Sequence, residues 1–373
     1  MTSLPATIKA LQLQANRTVT VADLPFATQD KVKSLPEDEV LVRIRAVGLN
    51  PTDWKHAFTE WGSPGAIAGS DATGDVVTVG SAVTHIKVGD RVAVYNDGGY
   101  RQKDNGAFAE YGRFLAAPAF VLPPEMTYEE GASFPVPHYT AVQALHMRLG
   151  FPWPLSSDAT ESKKTSEKIL IWGASTAVGH HAVQLAALSG LKVFATASPS
   201  AHEEVKALGA SRVFDYKDPD VASKIREAAG EKGIIYALDA VSEKGTTDMV
   251  IDSISPTRGG KVMIVLPVSE TTQKRREDVQ VELIIMGTVL GIELIAAGDI
   301  RLPAIPEDRA RIYEYCTQVL PCILDGWKAN VGAPHFKTQR LRSLPGGLEG
   351  VAQGMKIMQE GAYGREKLVC RIA

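Results

Sequence analysis

From Gly173 to Gly179 the chain reads Gly-Ala-Ser-Thr-Ala-Val-Gly, a run of small residues carrying two hydroxyls, Ser175 and Thr176. Residues of this kind suit a pyrophosphate. Bulk would hold the main chain away from phosphate oxygens, and a hydroxyl adds a donor where glycine offers only its N–H. Aligned on its last glycine, the run is a partial G-x-G-x-x-G with Ala174 and Thr176 in the first two glycine positions. Roughly 20 residues beyond such a turn, a site that selects NAD places an acid against the ribose 2′-hydroxyl. Here that stretch is Ala197-Ser198-Pro199-Ser200-Ala201-His202, with no acid before Glu203. A carboxylate would repel a 2′-phosphate, whereas hydroxyls donate to one, and Lys206, Arg212 and Lys217 bring positive charge nearby in sequence. The pattern favours NADPH over NADH. Taken alone, the small residues also fit an ordinary packed strand, turn and helix.

Those residues need a strand before them and a helix after. Ile169-Leu170-Ile171-Trp172 is an apolar run that stops at Gly173. Apolar positions then recur at helical spacing (Val178, Ala182, Val183, Leu185, Ala186) until Gly190, and Leu191–Ala197 is a second apolar run. This is a β-α-β unit of about 30 residues. The alternation continues with a helix over Glu203–Leu208, a strand over Arg212–Tyr216, a helix over Val221–Ala229, and strands over Ile234–Ala240 and Lys261–Leu266. It predicts a doubly wound parallel sheet. Thr271–Asp278 reads as a charged, solvated connection, Leu283–Leu290 as a last strand, and Glu307–Trp327 as a long helix.

Upstream, the texture is β-rich to about residue 130. Val40–Gly48 alternates apolar and charged residues, and Asp75–Gly80, Asp90–Val94 and a run opening at Gly106–Tyr111 are further short strands, as in a partly closed β domain. Helical spacing begins near Tyr128 and gives a helix over Thr140–Leu149. Phe151–Glu167, rich in Pro, Ser, Thr and Lys, reads as an exposed loop. Leu368–Ile372 is a strand returning to the β domain.

At 373 residues the chain can fill two domains with separate cores. A formal net charge of -3 gives no electrostatic reason to expect nucleic acid or an anionic membrane. Cys316, Cys322 and Cys370 are too few and too clustered for a disulfide framework, and none forms a C-x-x-C pair. The N-terminus has no charged-then-apolar signal, and the apolar stretch Leu283–Ile292 is far short of the ~20 residues that span a bilayer. The cytosol is the expected location.

Several motifs in order resemble the medium-chain dehydrogenase/reductase superfamily over nearly the whole chain. Gly48-Leu49-Asn50-Pro51-Thr52-Asp53-Trp54-Lys55 is similar to its G-x-N-P-x-D-x-K segment, and Gly69-Ser70-Asp71-Ala72-Thr73-Gly74 to its G-x-D-x-x-G. Val88–Val92 matches V-G-D-R-V, and Gly106–Tyr111 matches G-A-F-A-E-Y. Within the superfamily, Trp172–Gly179, Ala197-Ser198-Pro199 and Phe214-Asp215-Tyr216 look most like trans-acting enoyl reductases, which work beside fungal polyketide synthases. The resemblance implies an α/β chain: a GroES-like β-rich catalytic domain (residues 1–130 and 296–373) plus a Rossmann doubly wound parallel sheet (131–295) that binds NADPH. It also implies independence of zinc. Where the zinc alcohol dehydrogenases have a ligand cysteine this chain has Asn50, and where they have Gly-His-Glu it has Gly69-Ser70-Asp71. His56 and the His180-His181 pair remain, in surface or packing roles.

Reducing a plain carbonyl without zinc forfeits a Lewis acid. A conjugated alkene is easier, because hydride adds to the β-carbon and the charge passes to the carbonyl oxygen as an enolate that a hydrogen-bond donor can stabilise. By resemblance the candidates are Lys55, which would contact the nicotinamide ribose or the oxyanion, and Thr140, which would help frame the substrate carbonyl, with Tyr139 a candidate proton donor. The cofactor would lie on Thr52, Asp53, Lys55, Ser175, Thr176, Ala177, Val178, Ser198, Ser200, Ala201, Tyr216, Val265, Leu266, Ala362 and Tyr363. The residue types alone also allow a surface lysine at 55, a helix N-cap at Thr140, a packed ring at Tyr139 and a core tyrosine at 216. The expected activity is reduction of an α,β-unsaturated thioester, free or carried on a polyketide synthase. The alternatives are a quinone or enone reductase, and a non-catalytic NADPH-binding partner protein.

Overall fold

The computed structural model describes residues 4–26, 28–98, 103–156, 167–296, 300–327 and 336–372. They fall into two compact units, one of Met1–Val136, Gly287–Gly332 and Thr338–Ala373, the other of Pro137–Met286 and Ala333–Lys337.

The first unit opens with a hairpin of β1 (Thr7–Leu13) and β2 (Val19–Pro25). It continues through β3 (Glu39–Gly48), helix α1 (Pro51–Phe58), β4 (Asp71–Val79), β5 (Arg91–Tyr95), β6 (Tyr111–Leu115) and β7 (Phe120–Val121). The β3–β4 ladder slips between Leu41 and Val42 and again between Ile44 and Ala46, and such irregularities bend a sheet toward closure.

The second unit opens with most of α2 (Pro135–Val142) and is built on β8 (Lys168–Trp172), α3 (Ala177–Leu188), β9 (Lys192–Ala197), β10 (Ala210–Asp215), β11 (Tyr236–Asp239), β12 (Gly260–Ile264) and β13 (Val279–Leu283). All ladders are parallel, in the order β10-β9-β8-β11-β12-β13. The order reverses between β8 and β11, the place where doubly wound sheets bind ligands at the carboxyl ends of their strands. Ile169 to Trp172 are each 1% exposed or less, as strands covered on both faces require.

The chain then returns to the first unit, where β14 (Leu294–Ala296) and β15 (Ile300–Leu302) form a hairpin. Farther on, β16 (Leu341–Leu344) and β17 (Lys367–Arg371) complete a sheet ordered β16-β17-β3-β4-β5-β7, with β6 also on β3. The expected return of the last strand is therefore observed. Helix Gly347–Gln359 sets Leu348, Val351, Met355 and Met358 into the core that also takes Leu49, Ala57 and Val47.

Two expectations about elements need correction, and two others hold with a change of form. The apolar run Leu283–Leu290 is not a strand: the ladder ends at Leu283 and Met286–Leu290 is a 3₁₀ turn. An apolar run reports burial, which a turn satisfies as well as a strand. Thr271–Asp278 is the exposed connection expected, anchored where Ser269 caps a short helix over Glu270–Gln273 and Arg276 donates to the carbonyls of Ile254 at 3.0 Å and Ser255 at 2.8 Å. The long helix expected over Glu307–Trp327 is Pro306–Glu314, a π turn at Tyr315–Val319, and Leu320–Leu324. Pro321 has no N–H to continue the α pattern. The helix expected from Thr140 begins earlier, at Pro135, and passes into a π turn over Gln143–Arg148. In the expected loop Phe151–Glu167, Phe151 is buried with its ring 5.0 Å from that of Tyr236, and residues 157–166 lie outside the described residues. Among the described residues no helix is long and apolar enough to cross a membrane.

Candidate active site

Helix α1 carries Thr52, Asp53 and Lys55, and its start is fixed from within the first unit. Pro51 occupies the first turn, where a missing N–H costs nothing. The Asp53 carboxylate turns back to accept the Asn50 N–H at 2.6 Å. Asn50 Nδ2 donates to Asp71 Oδ2 at 2.8 Å, and Lys367 Nζ donates to Asn50 Oδ1 at 2.6 Å and to Asp71 Oδ2 at 3.3 Å. Asp71 Oδ1 accepts the Val136 N–H at 2.9 Å. Asn50, Asp53, Asp71 and Lys367 are each at most 3% exposed. Burial raises the Asp53 carboxyl to about 7, the Asp71 charge adding to the rise and the Asn50 N–H and Lys367 opposing it. Burial also raises Asp71, against the opposing charge of Lys367, and pushes Lys367 down.

Sequence reasoning missed Lys367. The signal was indirect: two acids and an asparagine in apolar surroundings call for a buried cation. Its position matters for metal chemistry. Zinc needs thiolate, imidazole or carboxylate ligands. The positions where the resemblance sets them hold Asn50, Ser70 and Asp71, and Asp71 is already bound to an ammonium. This donor set does not fit zinc.

Lys55 lies in the last turn of α1, half-buried, with Nζ 5.7 Å from the Trp54 ring centre and 5.8 Å from that of Trp61. Thr52 Oγ1 is 3.2 Å from His56 Nε2, and burial lowers His56 to about 4, so the imidazole is neutral at neutral pH. Ala362 and Tyr363 follow helix Gly347–Gln359 in the same unit. Tyr363 packs on the core that receives Trp54 and Phe58, while the Ala362 carbonyl accepts from Arg342 at 3.2 Å.

In the second unit the small-residue turn has the form a dinucleotide requires. Gly173 has φ 78° and donates its N–H to Thr196 Oγ1 at 3.0 Å. The left-handed turn thus falls one residue before the position aligned as the first glycine. A Cβ on Gly179 would lie 2.2 Å from the Gly173 carbonyl oxygen, so only glycine lets α3 start this close to β8. Thr176 is the N-cap of α3 and accepts the Gly179 N–H at 3.1 Å, which leaves its own O–H to donate. Ser175, Ala177 and Val178 share this half-exposed rim. The cradle fits a pyrophosphate at a helix N-terminus.

Parallel register carries the other expected residues to the same carboxyl edge. Asp215 pairs with Ala197, which sets Tyr216 beside Ser198, and Asp239 pairs with Trp172 on one side and Ile264 on the other, which sets Val265 level with Gly173 across the end of β11. Ser198 and Ser200 hydroxyls stand 3.4 Å apart, with Ala201 buried between their turn and the next helix. Tyr216 is 38% exposed, so it is not a core tyrosine, and Lys217 Nζ stands 5.9 Å over its ring. Lys206 is engaged by Glu203 at 2.7 Å.

Thr140 and Tyr139 lie inside α2 and are buried, Tyr139 completely. Thr140 is therefore not an N-cap. Their helix is joined to α3 by His138 and His181, whose Nδ1 atoms are 3.1 Å apart, and Phe336 packs on both rings at 5.4 Å. Burial, aided by the charge of His146, holds His138 down at about 3, so its imidazole is neutral at neutral pH.

Residues 36–124 match the model of the alcohol dehydrogenase GroES-like domain, and residues 177–292 that of the zinc-binding dehydrogenases. The chain is 34% identical over 372 residues to trans-enoyl reductase ACTTS2 of Alternaria alternata, covering 98% of this chain and 99% of that one. It is 32% identical over 344 residues to the enoyl reductase component lovC of the lovastatin nonaketide synthase of Aspergillus terreus, covering 91% and 90%. Among solved structures, the CurK enoyl reductase superposes with a TM-score of 0.71 at 19% identity, covering 99% of this chain and 100% of that one, a likeness of fold.

Proposed function

The chain belongs to the trans-enoyl reductase family of the medium-chain dehydrogenases/reductases and is an oxidoreductase; from that premise we propose that it reduces the α,β double bond of an enoyl thioester with NADPH and without zinc. The observation that carries the reading is the Lys367 ammonium bound to Asn50 and Asp71, which supports a site where hydrogen-bond donors do the work of a metal.

NADPH, when bound, supplies the hydride that reaches the β-carbon. The N–H groups opening α3, with the Thr176 and Ser175 hydroxyls, receive the pyrophosphate. Ser198 and Ser200 donate to the 2′-phosphate, with Lys217 as the nearby positive charge, and Tyr216 flanks the adenosine. The other residues the resemblance assigns to the cofactor are Val265 and Leu266 in the second unit, and Thr52, Asp53, Ala362 and Tyr363 in the first. Lys55 donates to the thioester oxygen as that oxygen gains charge, and Thr140 is the candidate of the second unit for framing a substrate carbonyl. Removing one donor of this kind typically slows turnover by about 10²–10³. The complete enclosure of Tyr139 supports a packing role for it, with the α-carbon proton coming from elsewhere. The relatives' names support a substrate carried on the acyl carrier of a polyketide synthase.

The test is NADPH oxidation by the purified chain with a 2-enoyl pantetheine thioester, in parallel with a free quinone. Turnover of the thioester, with the saturated product identified by mass, is expected. Oxidation with the quinone alone, or cofactor binding with no turnover of either, refutes the proposal.

A further inference from the structure

The geometry points to Trp61, with Trp54, as positioning residues that hold the Lys55 ammonium for the reacting oxygen. This rests on the reading of Lys55 given above. Both indole centres lie within 6 Å of Nζ, at 5.7 and 5.8 Å, inside the range over which an aromatic face attracts a cation. An indole fixes a cation through its quadrupole rather than by offering a strong acceptor, so it can orient an ammonium whose task is to donate.

The turn that carries Trp61 is tied to Lys55 itself. The Thr59 hydroxyl donates to the Lys55 carbonyl at 2.6 Å and accepts the Trp61 N–H at 3.2 Å. The next residue, Gly62, lies so close to α1 that a Cβ there would come within 2.2 Å of the His56 carbonyl oxygen and 2.5 Å of Leu13 Cδ2. From the other side Arg17 donates to the Gly62 carbonyl at 3.2 Å and pairs with Glu60. Trp54 is anchored differently, packed on the core beside Phe58. One indole is therefore fixed by the core and the other by a turn stapled to the lysine's own backbone. An unclamped lysine stem would have to be ordered at each turnover, and this arrangement orders it in advance.

The test is a double-mutant cycle on hydride transfer, read by single-turnover NADPH oxidation, in Trp61→Ala, Trp61→Phe, Lys55→Met and Lys55→Met/Trp61→Ala. Lys55→Met should slow transfer by about 10²–10³. In the Lys55 background Trp61→Ala should slow it about 2- to 30-fold, the span of exposed to desolvated cation–π contacts, and Trp61→Phe should recover most of that loss. In the Lys55→Met background Trp61→Ala should change the rate less than about twofold, since the coupling runs through the lysine.

An independent readout uses reductive ¹³C-methylation of the lysines. The Lys55 methyl signal should be ring-current shifted upfield of the others and return among them in Trp61→Ala. Equal losses from Trp61→Ala in both backgrounds, no loss in the Lys55 background, or an unshifted methyl signal overturns the proposal. Full activity in Lys55→Met removes the catalytic reading of Lys55 instead, and the methyl shift still decides whether the indoles hold the ammonium. Melting curves of Trp61→Phe separate a folding defect from a lost clamp.

Discussion

Replacing Lys367 by Met should destabilise the first unit by roughly 3–5 kcal/mol at alkaline pH, the cost of removing one partner from a buried ion pair. The loss is large because both ends are enclosed, Lys367 being 3% exposed and Asp71 0%. Asn50 Oδ1 also loses a donor held at 2.6 Å. The cost should depend on pH with a definite sign. Burial already raises the Asp71 carboxyl above its ordinary value, and the Lys367 charge is the first of the influences opposing that rise. Without Lys367 the rise is greater. A carboxyl raised in the folded state costs nothing below its unfolded value of 3.8, and the cost grows as pH climbs toward the folded value, by up to about 1.4 kcal/mol per pH unit. Asp53, raised to about 7 with Lys367 present, moves in the same direction. Lys367 adds to the widening gap, since its depressed folded value lets the unsubstituted protein gain stability as pH rises through it, a gain the variant lacks. Lys367→Met should therefore approach the parent near pH 5 and fall well below it at pH 8. Asp71→Asn/Lys367→Met, which removes the Asp71 charge along with its partner, should recover most of the difference. Amide hydrogen exchange in β3 and β17 reports on the first unit without averaging over the second. An equal gap at both pH values, or a double variant as unstable as the single one, would refute the account.

Three further outcomes test the rest of the site. Ser198→Asp should shift the ratio of kcat/KM for NADPH over NADH toward NADH by at least about fivefold, as a carboxylate near a phosphate implies; an unchanged ratio would show that the 2′-phosphate binds elsewhere. Gly179→Ala places a methyl 2.2 Å from the Gly173 carbonyl oxygen, so overpacking should cost about 1–3 kcal/mol and NADPH titrations should show binding lost, whereas retained tight binding would contradict the cradle. Dialysis against a zinc chelator should leave turnover of the thioester intact; activity lost on chelation and restored by zinc would overturn the metal-free reading.

What was legible in the sequence was what lies close together in it. Ile169–Trp172, the small-residue turn and the apolar spacing of α3 sit within one β-α-β unit, and their pattern gave that unit with its order of elements. Even there the left-handed glycine is Gly173, one place before the alignment's first position, because spacing cannot report φ. Burial without periodicity misled at Leu283–Leu290, where an apolar run folds as a 3₁₀ turn. The helical spacing places a start near Thr140, whereas the helix begins at Pro135, where proline suits a first turn.

Most of what fixes α1 was beyond such reading. Lys367 is 317 residues from Asn50 and 296 from Asp71, and no local pattern links them. Once the fold joins β17 to β3, the three meet beneath the helix start, and β3 delivers Gly48 opposite Val369 just before Asn50. At the other end of the helix the Thr59 hydroxyl binds the Lys55 carbonyl and receives the turn that carries Trp61. The two ends are held by different means, a buried ion pair at Asn50 and a hydroxyl staple at Lys55, so one substitution need not release both. For a donor that must meet charge only as it develops, this matters more than strength of binding. Stabilisation of an enolate depends on donors that need not reorganise when the charge appears, and a helix pinned at both termini is a backbone on which a lysine can meet that condition.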